Sequence, residues 1–154
     1  MKPRTDFLTA RQRCLRMQAI RSKNTKLERF FFREIASHAH RAGYRYRKHA
    51  EDLPGRPDLA FAKLRLAVFI DSTFWHGYGF RRWRHKLRGP YWPKKIMRNI
   101  ARDRQVSTAL RKLGWSVLRF QDSKLLACPE MCLSALLAHL RQLARKKSRR
   151  RVPS

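Results

Sequence analysis

The sequence predicts a mixed α/β sheet flanked by helices. Two short apolar runs, 59–61 and 66–70, follow the turn-forming residues 54–56 and predict a hairpin of buried strands. A helical pattern over 94–113 leads into another apolar run, 115–120, which is typical of a helix followed by a further core strand. A chain of 154 residues is long enough for one domain around a single core.

Three more elements are predicted around this centre. Thr25 and Glu28 have the spacing of a capping box, and apolar residues at helical spacing predict a helix from about Lys26 to His40. Residues 44–48 alternate aromatic and basic side chains, which indicates a first strand with one buried face. A closing helix is predicted over 129–143.

The composition points to a polyanionic partner. Lys and Arg number 38 against 10 Asp and Glu, so the formal net charge is +28, and self-repulsion on that scale opposes compactness unless a polyanion binds. Nucleic acid is the usual polyanion, although a ribosomal protein or a membrane-surface peptide can be equally basic. A hydrophobic content of 43% with 11% aromatic residues indicates a real core and argues against a disordered basic tail.

The sequence carries no sign of a membrane or secreted protein. No apolar run approaches the ~18 residues of a membrane span, and the N-terminal residues lack the apolar segment of a signal peptide. Cys14, Cys128 and Cys132 form no CxxC pair, so we expect neither a disulfide framework nor a zinc knuckle. These observations predict a reducing, cytoplasmic location and no membrane partner.

Basic segments flank the predicted folded domain, which spans residues 24–143. Residues 1–23 carry seven basic residues and one acid and are interpreted as an arm that is solvated or ordered on DNA. The last residues are also basic, with seven Lys or Arg from Arg141 onward. We interpret 144–154 as a basic C-terminal tail, which predicts a frayed end that contacts phosphates.

Residues 77–104 form the predicted nucleic-acid face. This segment holds ten Lys or Arg residues and one acid, with Trp83, Tyr91 and Trp92 interleaved among the charges. Basic side chains contact phosphates and aromatic rings stack on bases or wedge between them. The predicted basic contacts are Arg81, Arg82, Lys94 and Lys95. The alternative is a charged loop whose tryptophans pack on the core.

Few acids are present, so their positions are informative. Glu28, Asp58, Asp71 and Asp103 fall at the ends of elements or on inward faces, and the other six are expected in surface, cap or turn positions. Hydrolysis of a phosphodiester in a basic cleft needs hard oxygen ligands for Mg²⁺, which suits Asp58. His76 suits a general base, and Asp103 suits the acid that orients it.

Each of these residues also has a purely structural interpretation. Glu28 can simply close the capping box, and Asp58 follows Pro57 in a common turn pair. His76 can be an ordinary loop histidine. Asp103 can form a salt bridge with one of its many basic neighbours.

Four motifs resemble the very short patch repair (Vsr) endonuclease family. They are MQAIRSKNTKLE, LPGRPDLAF, VFIDSTFWHG and KKIMRNIARDRQVSTALRKLGWSVL, and they extend from about Met17 to Leu118. The resemblance implies a restriction-endonuclease-like fold and an enzyme that nicks one DNA strand beside a T:G mismatch with Mg²⁺. It also implies a Glu, Asp, His and Asp active-site pattern that some phage-type homing endonucleases share.

The resemblance assigns roles to individual residues. It places Asp58 at the metal-binding aspartate, His76 at the histidine that activates water, Asp103 at the acid paired with that histidine, and Glu28 at the N-terminal glutamate. Phe74, Trp75 and Trp92 match aromatic residues that push into the base stack, with Met17 at an N-terminal wedge. Such wedges suit a mismatch reader, because a weakened step costs least to unstack.

Two departures from the family pattern stand out. The family's structural zinc ligands align with Thr73, Tyr78, Phe80 and Asp122, so we expect no zinc, with Tyr78 and Phe80 filling the space by apolar contacts. Asp71 stands where the family has a second histidine. Since an acid on this strand is a metal ligand in the wider nuclease superfamily, Asp71 is expected to complete a two-carboxylate Mg²⁺ site with Asp58.

Two classes of function therefore remain open. The first is a metal-dependent endonuclease that is monomeric and acts on mismatched or distorted double-stranded DNA. It is expected to be a Vsr-like repair enzyme, which other repair proteins can assist, or a homing or mobile-element relative. The second is a catalytically inactive, basic DNA-binding protein. The four acid and base groups in a basic cleft favour the enzyme.

Overall fold

Helices and strands alternate along the computed structural model, which describes residues 26–87 and 90–149. Helix α1 consists of the consecutive segments Lys26–Phe31 (α), Phe32–Ala36 (π) and Ser37–Arg41 (α). The strands are β1 (Arg47–Lys48), β2 (Leu59–Phe61), β3 (Leu66–Asp71) and β4 (Ser116–Gln121). The remaining helices are α2 (Phe80–Trp83), α3 (Tyr91–Lys112), α4 (Asp122–Ala127) and α5 (Pro129–Arg149), with 3-10 turns at Ala62–Leu64 and Arg84–Lys86.

The strands form one mixed sheet in the order β1-β2-β3-β4. β1, β2 and β3 are antiparallel neighbours, whereas β3 and β4 run parallel from the pair Leu66 and Ser116 to the pair Asp71 and Gln121. The predicted hairpin is confirmed, and Arg65 closes its turn with a positive φ of 50°. This mixed sheet flanked by helices is the predicted restriction-endonuclease-like architecture.

The alternation of side chains along β3 divides the core between the two faces of the sheet. Leu66 and Val68 pack into the larger cluster, where α1, α4 and α5 contribute buried residues. Ala67 and Phe69 pack on the other face against Leu110 of α3. The same alternation directs Asp71 in β3 and Arg119 in β4 toward the α3 face. The sheet therefore points these two charged side chains at the helix that carries Asp103.

Several elements differ in extent from the prediction. β1 is only two exposed residues long, because Tyr44 and Tyr46 pack on the core and only Arg47–Lys48 pairs with β2. α3 begins at Tyr91 rather than Lys94, since Pro93 is tolerated in a first helical turn. Residues 80–86, for which no helix was predicted, form α2 and a 3-10 turn.

The C-terminal part is more helical than the sequence predicted. α4 was not predicted, and α5 continues past Leu143 to Arg149, so the predicted frayed end is helical over the residues that the structure describes. Lys147 Nζ donates a hydrogen bond to the carbonyl of Lys63, 2.8 Å away, which ties α5 to the hairpin turn. The predicted arm over 1–23 and Thr25 of the capping box lie outside the described residues. None of the described helices is long and apolar enough to span a membrane.

Candidate active site

Asp58 and Asp71 lie at the same edge of the sheet. Asp58 precedes β2 and Asp71 ends β3, and the start of one antiparallel strand lies beside the end of its neighbour. Asp58 Oδ2 accepts a hydrogen bond from the Ile70 amide, 2.7 Å away. The two carboxylates are therefore held on backbone of the hairpin, as the sequence predicted.

Two glycines bring the flanking turns against α3. A Cβ on Gly55, in the turn before Asp58, would lie 2.4 Å from Val106 Cγ1. A Cβ on Gly77, directly after His76, would lie 2.5 Å from Ile100 Cδ1. Both glycines have positive φ, which residues with side chains adopt rarely. Glycine thus permits the close approach that brings the hairpin and the His76 loop to the helix with Asp103.

His76 and Asp103 are in direct contact. Asp103 Oδ2 lies 2.5 Å from His76 Nδ1, and both side chains are largely buried. A carboxylate at this position favours a proton on Nδ1 and leaves Nε2 as the basic nitrogen. Asp103 therefore pairs with the histidine, as predicted, instead of pairing with a neighbouring arginine of its own helix.

Asp71 is held by two groups whose part in the site the sequence did not reveal. Arg119 Nη1 donates to both carboxylate oxygens, at 2.8 and 3.0 Å, and the Tyr78 hydroxyl donates to Oδ2 at 2.9 Å. Burial, followed by the charge of Asp71, raises the pKa of Tyr78, so this phenol stays protonated and remains a donor. Since Arg119 already balances the charge of Asp71, this geometry favours an ion pair over the expected role as a second metal ligand.

Asp58 lines a cavity of about 440 Å³ together with His76, Asp103 and Arg119. Burial raises the pKa of Asp58 to about 6, and the negative charge of Glu28 adds to the rise. Asp58, His76 and Asp103 therefore line one cavity, and Glu28 is close enough to Asp58 for its charge to influence that carboxyl. A buried carboxylate with a raised pKa gains most when a cation arrives to compensate its charge.

The donors around Asp58 are compatible with a magnesium ion. Mg²⁺ commonly binds one or two carboxylates and completes its shell with water and substrate phosphate. No group of three or more His, Cys, Asp or Glu side chains within the described ranges could hold a metal by itself. A single carboxylate in a cavity open to water fits such an ion, and Asp58 is the residue that would hold it.

An aromatic cluster borders the same loop. Phe74 stacks on Trp83 at 5.3 Å, and Trp75 lies 5.5 Å from Trp92. Phe74 is 40% exposed, so its ring is accessible at the surface. The predicted contacts Arg81, Arg82 and Lys94 are exposed, Lys95 is partly buried, and Met17 lies outside the described residues. The aromatic rings and the basic residues therefore lie on the segment next to His76.

Hydrogen bonds anchor the loop that carries His76. Both the amide and the hydroxyl of Thr73 donate to Asp122 Oδ1, and Asn99 Nδ2 donates to the carbonyl of Trp75 at 3.1 Å. Burial by itself raises the pKa of Asp122, but the hydrogen bonds from Thr73, Ser123 and Ser72 together outweigh it and hold the pKa below its usual value. Asp122, predicted as a surface, cap or turn residue, therefore anchors the loop that carries His76 to the start of α4.

The four positions aligned with zinc ligands do not all behave as expected. Thr73 and Asp122 hydrogen-bond to each other, and Phe80 is buried with its ring edge against Trp83. Tyr78 does more than fill space, because its hydroxyl binds Asp71. The signal that could have revealed this network is Arg119, a charged residue inside the apolar run 115–120 that needs a buried acid as partner.

Comparisons with known proteins agree with this geometry. The sequence profile of the family described as DNA mismatch endonuclease Vsr matches residues 5–82. The type II nicking enzyme V.XorIIP of Xanthomonas oryzae pv. oryzae is 41% identical over 140 residues, which cover 90% of this chain and 96% of that protein. The type II nicking enzyme V.NmeDIP of Neisseria meningitidis serogroup C is 38% identical over 129 residues, covering 82% and 84%.

The DNA mismatch endonuclease Vsr of Escherichia coli is 33% identical over 103 residues, which cover 66% of this chain and 64% of that protein. The motifs, the mixed sheet and these similarities lead to the same assignment, and the chain belongs to the Vsr family of DNA endonucleases.

Proposed function

We propose that this endonuclease nicks one strand of duplex DNA beside a T:G mismatch in a reaction that requires Mg²⁺. The observation that carries the proposal is the convergence of Asp58, His76 and Asp103 around one cavity. The names of the relatives, nicking enzymes and a mismatch endonuclease, support this substrate and outcome. A single centre in one chain can account for a cut in a single strand, so we propose that it acts as a monomer.

The side chains divide the chemistry between them. Asp103 holds a proton on His76 Nδ1, so that Nε2 can accept the proton of a water that attacks the phosphorus. Asp58 would bind Mg²⁺, which supplies charge stabilisation for the phosphoryl oxygens when bound. Asp71, hydrogen-bonded to Arg119 and Tyr78, has its Oδ1 3.5 Å from His76 Nδ1 and fixes the position of the histidine.

The surface next to the centre supports a distorted DNA substrate. Exposed Phe74 and the neighbouring tryptophans offer rings that can enter a base step, and a mismatched step is cheaper to open than a paired one. The exposed arginines of α2 and Lys94 of α3 offer phosphate contacts that carry no sequence information. The rings proposed to open a base step and the cations proposed to bind the DNA backbone thus lie next to the groups proposed to carry out hydrolysis.

The test uses matched, T:G-mismatched and supercoiled DNA with the purified protein in Mg²⁺ or in EDTA. We expect Mg²⁺-dependent nicking confined to the mismatch. Asp58→Ala and His76→Ala should each abolish nicking with nearly unchanged DNA binding, whereas Asp52→Ala, which removes an exposed ion pair with Arg47, should retain activity. Cleavage of a long unmispaired site would favour a homing enzyme, and tight binding without cleavage an inactive relative. Normal nicking by either active-site variant would refute the assigned roles.

A further inference from the structure

A second cavity, of about 460 Å³, adjoins the cavity that Asp58 lines. The two cavities share Asp71, His76, Asp103 and Arg119 in their walls. Tyr78 lines the second cavity but not the first, and residues of α3 form much of the remaining lining. A ligand that occupies the metal cavity therefore extends directly into this space if it is longer than one phosphate group.

The part of the second cavity that α3 lines has the character of an anion site. Arg104, Ser107, Thr108 and Arg111 line it from α3. At 100° per residue these four positions fall within about 100° of one another, so they form one stripe of the helix. Guanidinium groups bind phosphate oxygens through two parallel hydrogen bonds, and the hydroxyls of serine and threonine are further donors.

The charges of this cavity are not balanced by its own acids. Asp71 is hydrogen-bonded by Arg119, and Asp103 contacts His76. Within residues 26–87 and 90–149, neither Arg104 nor Arg111 has a carboxylate partner. Two guanidinium groups therefore remain available to an incoming anion, which lowers the cost of placing a phosphate beside two carboxylates.

From this arrangement we infer that the second cavity binds a phosphodiester of the cleaved strand next to the one that is cut, through Arg104 and Arg111. The inference rests on the proposed function, because it takes the scissile phosphate to lie in the cavity of Asp58. Successive phosphates of one strand are joined by a single nucleotide, and the two cavities share four lining residues, so a strand with its scissile phosphate in one cavity brings the next phosphate toward the other. Binding of the flanking phosphate fixes the strand relative to His76, which makes both arginines positioning residues.

The test combines charge removal on the DNA with charge removal on the protein. T:G-mismatched duplexes each carry one uncharged methylphosphonate at one of the three phosphates on either side of the cut. Single-turnover nicking is measured for the wild type, Arg104→Gln, Arg111→Gln and Lys112→Gln. Lys112 is the matched control, since it is an exposed cation on α3 that lines neither cavity.

We expect a methylphosphonate at one position to lower the single-turnover nicking rate of the wild type about tenfold or more. A factor of this size corresponds to the loss of one hydrogen bond to a charged group. Arg104→Gln or Arg111→Gln should be slowed by a similar factor on unmodified DNA and by little more on the duplex with that methylphosphonate. Lys112→Gln should keep the wild-type profile. The inference would be overturned if a methylphosphonate at every position slowed both arginine variants by the same factor as it slows the wild type.

The outcome can be separated from a failure of the proposed function. The same scan is measured by equilibrium binding, which does not require cleavage, and thermal unfolding checks that the variants with altered exposed arginines fold. If the wild type nicks no duplex, the proposed function fails. Loss of sensitivity at one phosphate in Arg111→Gln would still support the phosphate site, and unaltered sensitivity at all positions in both variants would refute it.

Discussion

Asp71 and Arg119 form an ion pair immediately behind His76, in the interior of the protein. Their side chains are 3% and 17% exposed, and Arg119 also lies over the ring of Phe69 at 4.3 Å. The pairing gives the Asp71 carboxylate a positive counter-charge, and its expected role as a second metal ligand stays a prediction. Loss of either side chain would leave the charge of the other without its counter-charge close to His76.

Arg119→Met should lower the free energy of unfolding by about 3 to 5 kcal/mol, because it leaves the buried Asp71 carboxylate with the Tyr78 hydroxyl as a donor but without the balancing guanidinium charge. Adding Asp71→Asn should recover at least half of that loss. Urea unfolding of the single and the double variant measures the loss and the recovery. Arg47→Met, which breaks an exposed ion pair with Asp52, is the control and should cost less than about 1 kcal/mol. Additive losses in the double variant would contradict a coupled pair.

Asp103→Asn should slow single-turnover nicking by about 10² to 10⁴, since the amide can bind either tautomer of His76 and no longer stabilises the protonated imidazole. DNA affinity, measured by equilibrium binding, should change little. Asp52→Asn provides the matched change at an exposed carboxylate and should nick at the wild-type rate. An Asp103→Asn variant within a factor of two of wild type would remove Asp103 from the mechanism.

Asp58→Asn should stabilise the metal-free protein at pH 8 and leave its stability nearly unchanged at pH 4. The pKa of Asp58 is raised to about 6 by burial, whereas an unfolded aspartate titrates near 3.9. Below about pH 4 both states hold the proton, so folding carries no penalty. Between about pH 4 and 6 only the unfolded state releases the proton, so the free energy of unfolding falls as the pH rises. Above about pH 6 the folded state has also lost the proton, and the full loss of about 3 kcal/mol applies.

Unfolding in EDTA at several pH values measures this difference. Asp52→Asn is a control of opposite sign, because a hydrogen bond from Arg47 lowers the pKa of Asp52 and the charged form is favoured in the folded state. Mg²⁺ should stabilise the wild type selectively and narrow the difference at pH 8. A stability difference that is equal at pH 4 and pH 8 would show that burial does not penalise the Asp58 carboxylate.

Gly77→Ala should reduce both stability and nicking, because its Cβ would meet Ile100 Cδ1 at 2.5 Å and its φ is +64°. We expect a loss of about 1 to 3 kcal/mol from the strained backbone and the displaced helix contact. Gly43→Ala is a matched control with φ +87° and no atom within 4 Å of the added Cβ, so it carries the backbone cost alone. Equal losses for the two variants, measured by thermal unfolding, would show that the contact with Ile100 is unimportant.

The sequence predicted those site residues that can be recognised from local sequence patterns. Asp58 and Asp71 were found because apolar runs begin or end beside them, and Asp103 because helical spacing places it in the apolar stripe of α3. His76 was singled out by its position after the Phe74 and Trp75 pair and by family resemblance. Apart from the family resemblance, each of these signals depends only on neighbours in the chain.

The network around Asp71 could not be predicted in the same way. The partnership with Arg119 arises from the parallel pairing of β3 with β4, which brings together residues 48 apart in sequence. The same applies to Thr73 and Asp122, which are 49 apart. Sequence patterns assign side chains to a face of a strand, but the register between distant strands selects which of them meet.

The parallel pairing of β4 with β3 also bears on how the enzyme acquires activity during folding. The hairpin and α3 contain Asp58, His76 and Asp103, yet Arg119 arrives only when the last strand docks across a connection of more than forty residues. Contacts between residues so distant in sequence form slowly, since the entropy of the intervening chain is lost first. In a chain that has not yet added β4, the Asp71 carboxylate would therefore lie close to His76 without the arginine that balances its charge.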